Sequence, residues 1–295
     1  MTEPTMTDPT MTDPTQDVAA HYGKGGLLDR VLSALTQAGK DIDRLTIDDL
    51  APVDEFHSRR RLATEELARM LAPTPTDHVI DIGSGLGGPS RYLARTYGCR
   101  VSGIDLTADF VATATELAHR TGLADKVDFQ TASALALPFP DASFDLAWSQ
   151  NVAMNIADRA RWYAEIARVL KPGGRLAIQD VAQGPGGGLT FPVMWADRAE
   201  ISFLRTPEET RALLEAVGFR VLQWIDNTEA ALAEAAAERA RMAARPAASP
   251  MATPPVLGIH VVVGPSFREK TRNGQRAQEE NRTRLINALL VLEAR

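Results

Sequence analysis

The sequence predicts an α/β fold in which a mostly parallel sheet is covered by helices on both faces. Between residues 76 and 228, short apolar runs alternate with helical patterns, which is typical of parallel strands joined by crossover helices. A glycine-rich turn after the first run supports this fold, because it joins a strand directly to a helix. Strands are predicted at His78–Ile82, Arg100–Ile104, Val127–Thr131, Phe144–Ser149 and Gly174–Asp180, with helices around residues 88–97, 108–121 and 158–170.

An N-terminal helical cap is predicted over residues 17–75, ahead of the sheet. Apolar side chains recur there at helical spacing in two stretches, and Pro73 and Pro75 end the second stretch. Residues 1–16 repeat a short unit rich in threonine, proline and acid. Such a segment has no apolar surface to bury, so we expect a disordered tail.

The chain after the parallel core is predicted to contain two more strands and two more helices. Phe219–Asp226 has the pattern of a strand. An Ala- and Arg-rich helix and a Pro/Ala/Ser linker are predicted as an insertion over residues 229–255. In the segment 256–295, Gly258–Val263 is predicted as the last strand and residues 275–293 as a final helix.

The composition of the 295-residue chain argues against several classes of partner. The net charge of −6 gives no electrostatic case for binding nucleic acid or anionic lipid. No apolar run approaches the roughly 20 residues needed to span a bilayer, and the N-terminus lacks the features of a signal peptide. The single cysteine, Cys99, is predicted to be a buried apolar side chain in a cytoplasmic protein. The five histidines have no metal-ligand spacing, so no metal site is predicted.

The most informative segment runs from His78 to Pro89, where a strand enters a loop with four glycines and a helix then starts. Glycines let the backbone approach a ligand closely, and the free N–H groups of a helix start bind carboxylate or phosphate. Asp105 ends the second strand, where its carboxylate can accept hydrogen bonds from two ribose hydroxyls. Nicotinamide dinucleotides satisfy the same pattern, so these residues alone leave two ligands open.

Asp81 helps to choose between these ligands. It directly precedes the glycine loop at the end of the first strand, where its negative charge would repel a pyrophosphate. The same charge would attract the ammonium group of a methionine-like moiety. Asp81 therefore favours S-adenosylmethionine, although a carboxylate that only caps the loop amides would have the same position.

Three downstream motifs complete a resemblance to a known family. They are Leu137-Pro138-Phe139, Asp141-Ala142-Ser143-Phe144-Asp145 and Arg168-Val169-Leu170-Lys171-Pro172-Gly173-Gly174. With the glycine loop and Asp105, they resemble the class I S-adenosylmethionine-dependent methyltransferases, most closely the branch with the sarcosine/dimethylglycine and ubiquinone/menaquinone enzymes. The resemblance implies a Rossmann-like, seven-stranded, mostly parallel sheet with an antiparallel last strand. The helical cap precedes this sheet, and the helical insertion precedes the last strand.

The resemblance also implies the cofactor S-adenosylmethionine, the product S-adenosylhomocysteine and a set of cofactor-binding residues, with no metal. These residues are Asp81, Gly83 and Gly85 around the methionine end, Asp105 and Leu106 at the ribose and adenine, Ser133 and Ala134 beside the adenine, and Gln150 near the sulfonium. Many relatives carry an acid at the position of Ser133, where a serine hydroxyl can still accept a hydrogen bond.

Three residues are predicted to act in catalysis. Related methyltransferases place an N-terminal tyrosine against the methyl donor, which predicts this position for Tyr22. His57 is the candidate base, which is needed only where the acceptor must lose a proton, and Asn155 is a candidate polar positioner. The acceptor pocket is predicted beyond the ends of the fourth and fifth strands, at Met154, Asp180, Met194 and Trp195. For Met194 and Trp195, ordinary core packing fits equally well.

Together, these observations predict an enzyme of the EC 2.1.1 type that methylates a small-molecule acceptor by in-line displacement. A small amine is the favoured acceptor, on the resemblance to amine methyltransferases alone. Methylation of oxygen or carbon in a quinone, phenol or sugar is the alternative. Two more distant alternatives are a nicotinamide-dependent oxidoreductase and a cofactor-binding module without turnover.

Overall fold

A computed structural model describes residues 14–23, 25–243 and 257–293 of the chain. In these ranges one sheet contains the strands β1 (His78–Ile82), β2 (Arg100–Asp105), β3 (Val127–Thr131), β4 (Phe144–Gln150), β5 (Leu170–Gln183), β6 (Phe219–Asp226) and β7 (Thr283–Leu292). Their order across the sheet is β3-β2-β1-β4-β5-β7-β6. Strands β1 to β5 pair in parallel, and β7 runs antiparallel to both β5 and β6. The predicted seven-stranded, mostly parallel sheet is therefore confirmed.

The helices are α1 (Pro14–Tyr22), α2 (Leu27–Gln37), α3 (Ile47–Asp54), α4 (Arg60–Leu71), α5 (Gly88–Tyr97), α6 (Ala108–Arg120), α7 (Arg159–Val169), α8 (Pro207–Ala216), α9 (Thr228–Ala243), α10 (His260–Val263) and α11 (Phe267–Glu279). They cover both faces of the sheet, because Val79 of β1 packs into one buried cluster while Ile80 and Ile82 pack into another. Cys99 belongs to the first cluster and is fully buried, and burial raises the pKa of its thiol to about 11.

The N-terminal cap is anchored on the glycine loop. Leu50 and Val53 of α3 share a buried cluster with Leu86, which lies in the turn after β1. The predicted end of the tail at residue 16 is wrong, because α1 already begins at Pro14. The helix is held there because Val18 packs in a buried cluster with Met154 and Trp195. Residues 1–13 lie outside the described ranges, and so does most of the predicted tail.

The C-terminal segment differs from the prediction. Residues 260–263, predicted as the last strand, form the short helix α10, and the predicted final helix is replaced by α11 and the strand β7. The error has a physical cause. β7 is buried on both faces from Leu285 to Leu290, so its apolar residues form a continuous run that periodicity cannot distinguish from a buried helix. Val261 and Val262 of α10 instead pack against the apolar cluster around α2.

The insertion between β6 and β7 begins as predicted. Helix α9 occupies the position of the predicted insertion helix, and Ala231 anchors it in a cluster with Leu285 of β7. Residues 244–256, which include the predicted linker, lie outside the described ranges. No helix in the described part of the chain combines the length and apolar character needed to cross a membrane.

Candidate functional site

A cavity of about 1020 Å³ lies at the edge of the sheet where the parallel strands β1, β2 and β4 end. Helices α1, α9, α10 and α11 contribute the walls that face away from the sheet. Every predicted site residue except Asp180 lines this cavity. Ligand sites of open α/β sheets are found at the carboxyl ends of the strands, so the sheet itself brings these residues together.

The glycine loop between β1 and α5 is packed against the chain on two sides. Gly83 and Gly85 have φ angles of 76° and 53°, which favour glycine. A Cβ atom at Gly83 would lie 2.3 Å from Cγ2 of Val152, and one at Gly85 would lie 2.7 Å from Cζ of Phe56. Both glycines are therefore required by the fold of the loop, whatever the cavity binds.

Asp105 joins the end of β2 to the glycine loop. Its Oδ2 accepts a hydrogen bond from the backbone N–H of Gly85 at 2.9 Å, and its Oδ1 accepts one from Thr107 N–H at 2.8 Å. Burial raises the pKa of Asp105 even though these bonds oppose the shift. Leu106 follows directly and gives this part of the cavity an apolar surface.

Asp81 is a buried carboxylate at the end of β1, with 2% of its surface exposed. The Ser90 hydroxyl donates a hydrogen bond to its Oδ2. Burial raises the pKa of Asp81 to about 7, with further repulsion from Asp105 and Glu55, while Ser90 and the positive charge of His57 oppose the shift. The carboxylate is therefore only partly ionised at neutral pH until a cation approaches.

His57 lines the cavity but is held by a neighbouring carboxylate. Its Nε2 lies 2.8 Å from Oε2 of Glu55 and 3.1 Å from the hydroxyl of Thr64. Glu55 is fully buried and also binds Arg61 at 2.8 Å. Although burial alone would raise it, the pKa of Glu55 is lowered by the hydrogen bond from His57 and by the charges of His57 and Arg61.

Gln150 ends β4 and is fixed at both ends of its amide. Its Nε2 donates to Oε1 of Gln179 at 2.9 Å, and its Oε1 accepts from the indole N–H of Trp148 at 3.1 Å. On the far side of the cavity, the Ser133 hydroxyl accepts from the backbone N–H of Leu135 at 3.2 Å, beside Ala134. The Ser133 O–H proton stays free to donate, because the hydroxyl is the acceptor in that bond.

Tyr22 and Asn155 form a bridge across the cavity wall. The Tyr22 hydroxyl donates to Oδ1 of Asn155 at 3.1 Å, and Nδ2 of Asn155 donates to the carbonyl of Trp195 at 2.8 Å. Burial raises the pKa of Tyr22, and the charges of Asp105 and Asp197 add to this shift. The phenol is thus a neutral hydrogen-bond donor.

Apolar side chains from three segments wall the space next to this bridge. Met154, Met194 and Trp195 belong to one hydrophobic cluster and also line the cavity. The indole N–H of Trp195 donates to the hydroxyl of Ser202 at 2.9 Å, which fixes the ring. Met194 and Trp195 therefore pack in a hydrophobic cluster and also form part of the cavity wall.

The structure does not bring Asp180 to the cavity, unlike the other predicted acceptor residues. Its Oδ1 accepts hydrogen bonds from the backbone N–H groups of Val152 and Ala153, both at 3.0 Å. Burial raises the pKa of Asp180 to about 6. Strand β5 does not end at Asp180 but continues to Gln183, and Val181 lines the cavity in place of Asp180, whose carboxylate fixes the turn after β4.

His21 and Lys270, which no sequence pattern predicts as site residues, line the cavity and meet at Asp197. His21 of α1 lies 2.9 Å from Oδ2 of Asp197, and Lys270 of α11 lies 2.9 Å from Oδ1 of Asp197. The three residues come from distant segments with no shared motif. No periodicity or spacing in the sequence therefore indicates that they meet.

Arg59 connects the cap to the insertion helix. It binds Glu66 of α4 and Glu234 of α9 with two hydrogen bonds each, at 2.6–2.9 Å. Residue Arg59 itself has a left-handed backbone conformation with φ of 63°. Within the described ranges, no group of three or more His, Cys, Asp or Glu side chains is arranged to hold a metal ion.

Comparison with known proteins finds similar chains. Residues 80–178 match a family model described as a methyltransferase domain. The chain is 31% identical over 198 residues to sarcosine/dimethylglycine N-methyltransferase of Halorhodospira halochloris, covering 66% of this chain and 70% of that protein. It is 40% identical over 129 residues to a rice protein (Oryza sativa subsp. japonica) named probable tocopherol O-methyltransferase, chloroplastic. That match covers 42% of this chain and 36% of the rice protein, about a third of its length.

The fold is similar to that of a solved structure along almost the whole chain. Geranyl diphosphate C-methyltransferase from Streptomyces coelicolor A3(2), solved with Mg2+, geranyl diphosphate and S-adenosyl-L-homocysteine, gives a TM-score of 0.65. The sequence identity is 18%, and the match covers 97% of this chain and 100% of that chain. At this identity the similarity concerns the fold.

Proposed function

The chain belongs to the class I S-adenosylmethionine-dependent methyltransferases, and on this premise we propose that it methylates a bulky, largely apolar small molecule. The observation that carries the proposal is the cavity of about 1020 Å³. Its strand-end side contains Asp81 and Asp105, whereas Met154, Met194 and Trp195 line its other side. The first side suits the cofactor and the second suits the acceptor.

Groups on the glycine loop fit S-adenosylmethionine. Within the described residues, Ser90 alone donates a side-chain hydrogen bond to Asp81, so the carboxylate can accept more bonds from an ammonium group. The Ser84 hydroxyl is buried and has no hydrogen-bond partner among the described residues. Ser84 also lines the cavity. Asp105 keeps lone pairs for ribose hydroxyls after it accepts two backbone bonds.

We assign His57 to the methionine end of the cofactor. Its Nε2 is occupied by Glu55, and its charge acts on Asp81 in the same corner of the cavity. An imidazole held in this way is suited to bind a carboxylate. It is less suited to remove a proton from an acceptor on the opposite wall. The pairing of His57 with Glu55 therefore supports a role for His57 in positioning the cofactor.

The size of the cavity favours an acceptor larger than a small amine. Pockets that enclose one drug-sized ligand measure about 300–1,000 Å³. A cavity of about 1020 Å³ at the top of this range has room for the cofactor and for a second molecule of ring size or larger. The similarity to a sarcosine/dimethylglycine N-methyltransferase keeps a small amine as the second candidate.

The residues around the apolar side can orient such an acceptor. When bound, S-adenosylmethionine supplies an electrophilic methyl group, so the protein must align the acceptor and exclude water. The bridge from Tyr22 to Asn155 fixes the wall nearest Asp105, and Asn155 in turn holds the backbone at Trp195. Helices α9, α10 and α11 line the same space on the side that faces away from the sheet.

Cofactor binding and methyl transfer test the proposal together. Binding of S-adenosylmethionine is measured by calorimetry, and methylated products are identified by mass spectrometry with panels of hydroxylated ring compounds and small amines. We expect the wild type to bind the cofactor and to methylate ring compounds in preference to sarcosine. Substitution Asp105→Ala removes two charged hydrogen bonds and should weaken cofactor binding about tenfold or more.

The exposed residue Asp125 supplies the control, because Asp125→Ala removes an equal charge away from the cavity. It should bind the cofactor as the wild type does. A wild type that binds no S-adenosylmethionine would contradict the proposal. Methylation of sarcosine, with ring compounds left unmodified, would establish the second candidate instead.

A further inference from the structure

Three ionisable residues meet beside the apolar side of the cavity, and we call them the Lys270 cluster. Nζ of Lys270 lies 2.9 Å from Oδ1 of Asp197 and 3.3 Å from Nε2 of His21, and Nδ1 of His21 lies 2.9 Å from Oδ2 of Asp197. Lys270 and His21 both line the cavity. Lys270 is 2% exposed, whereas the side chain of Asp197 is 53% exposed.

The hydrogen bonds of the cluster fix its charges. Burial and the nearby charge of Lys270 lower the pKa of His21, although Asp197 opposes the shift. The neutral imidazole then donates from Nδ1 to Asp197 and accepts at Nε2 from Lys270. The cluster therefore contains one buried cation, one half-exposed carboxylate and one neutral ring that links them.

Lys270 retains one unused donor. A lysine ammonium has three N–H groups, and within the described residues its partners are Asp197 and His21. A buried charged donor without a partner is costly, so such a group in a cavity wall is suited to an anionic ligand. Water screens the charge of the half-exposed Asp197 more than it screens the charge of the buried Lys270.

Other charged side chains on the same walls are already paired with neighbours. Glu234 of α9 is held by Arg59, and Glu238 forms an ion pair with Arg241 at 3.0 Å. The apolar residues Val18, Met194 and Trp195 line the cavity near the Lys270 cluster, together with the uncharged polar residues Thr271 and Gln275 of α11. A ligand here must combine an apolar body with one negatively charged atom.

The cluster also lies next to the position assigned to the methyl donor. The ring of Tyr22 contacts His21 edge to face, with 4.7 Å between centroids. The charges of Asp105 and Asp197 both act on the hydroxyl of Tyr22, so Tyr22 lies close to both the ribose-binding carboxylate and the cluster. An acceptor bound by Lys270 would therefore lie against Tyr22, next to the position assigned to the cofactor.

We propose that Lys270, positioned by Asp197 and His21, binds the acceptor through an ionised oxygen, so that the acceptor is a phenol or enol on an apolar frame. This inference rests on the function proposed above. The acceptor O–H loses its proton to water, and Lys270 stabilises the resulting oxyanion. A lone pair of that oxygen then forms the new bond to the methyl carbon, while the bond between this carbon and sulfur breaks with its electrons on sulfur.

A chromophoric phenol tests the inference directly. 4-Nitrophenol is titrated into the protein saturated with S-adenosylhomocysteine, at a pH where the free phenol is mostly protonated. We expect the wild type to bind it as the yellow phenolate. The variant Lys270→Met should lose the phenolate absorption and bind at least about tenfold more weakly. Lys270→Arg keeps the cation and should restore the absorption.

Controls separate a binding role from a structural one. Arg272→Met removes a charge from the exposed side of the same helix and should leave phenol binding unchanged. Lys270→Gln keeps a hydrogen bond to Asp197 without the charge and serves where the methionine variant does not fold. Binding of S-adenosylhomocysteine is measured for every variant and should stay within about twofold of the wild type, because Lys270 lies on the acceptor side.

Two results would overturn the inference and leave the proposed function intact. One is phenolate binding by Lys270→Met or Lys270→Gln that equals that of the wild type. The other is a wild type that binds S-adenosylhomocysteine and methylates an amine but binds no phenolate. Loss of cofactor binding in the wild type would instead contradict the function itself.

Discussion

The two sides of the cavity are built in different ways. On the strand-end side, Asp81 and Asp105 lie near the carboxyl ends of the adjacent parallel strands β1 and β2, and backbone hydrogen bonds of the sheet set their positions. On the acceptor side, His21 bonds Asp197 across 176 residues of sequence and Lys270 across 249 residues. The first side depends on local backbone geometry, whereas the second depends on side chains from helices packed against each other.

This difference predicts which substitutions damage the fold and which change only the ligand. The glycine loop is covered by Phe56 and Val152, so a change there strains the backbone and disturbs the packing of the cap. Helices α9 and α11 pack on the molecule through a few buried residues such as Ala231 and Ala277, and ion pairs add to these contacts. Loss of one of these ion pairs should alter closure of the cavity at little cost in global stability.

The largest expected effect concerns Gly83. The substitution Gly83→Ala combines a left-handed backbone conformation with a Cβ atom 2.3 Å from Val152. Strain and overpacking together should lower the free energy of unfolding by about 3 kcal/mol. Chemical denaturation with a two-state fit measures the effect.

A matched glycine separates strain from packing. Gly122 has a similar φ of 67°, and a Cβ atom there would meet nothing within 4 Å. Gly122→Ala should therefore cost only about 1 kcal/mol. The double variant Gly83→Ala with Val152→Ala should recover part of the loss. Equal destabilisation by Gly83→Ala and Gly122→Ala would show that Val152 does not pack tightly against the loop at Gly83.

The same contrast explains what could be predicted from the sequence. The strands β1, β3 and β6 have the predicted bounds, and the predicted residues Asp81 and Asp105 line the cavity, because parallel strands carry local apolar patterns and share one edge. The strand β7 was mistaken for a helix because its buried run lacks a strand period. The Lys270 cluster could not be predicted, because only the packing of α1 and α11 brings its members together.

The next expected effect concerns the charge of Asp81. Its pKa is raised from 3.8 to about 7 by burial, so the carboxylate is mostly protonated at pH 6 and mostly ionised at pH 8. If the ionised form binds the ammonium group of the cofactor, affinity for S-adenosylmethionine should rise about tenfold between these pH values. Calorimetry in buffers of different ionisation enthalpy should also detect a proton released on binding.

The contribution of Asp81 to the stability of the fold changes with pH in the opposite direction to the affinity for the cofactor. A carboxylate with a raised pKa binds its proton more tightly in the folded state, so its contribution to stability is full below pH 3.8 and lost as the pH rises through about 7. Asp81→Asn should remove both dependences on pH and leave the cofactor bound weakly at every pH. A pH dependence of affinity that persists in this variant would assign the effect to another group.

The smallest expected effect concerns the connection between Arg59 and the insertion helix. The side chain of Arg59 is 6% exposed, and Glu234 binds it with two hydrogen bonds. Glu234→Gln leaves the pair of Arg59 with Glu66, so the loss of global stability should be about 1 kcal/mol or less. Local opening of α9 should nevertheless increase, and hydrogen exchange of its backbone amides should speed up by about fivefold.

A second ion pair on α9 provides a control for the role of Arg59 in holding this helix. Arg239 of α9 lies 3.3 Å from Glu279 of α11, and both side chains are about half exposed. Because water screens this pair, Glu279→Gln should change exchange in α9 by less than twofold. If both variants open α9 equally, the buried Arg59 has no special part in holding the insertion. If only Glu234→Gln opens it and also weakens binding of the phenolate, α9 closes the acceptor side by way of Arg59.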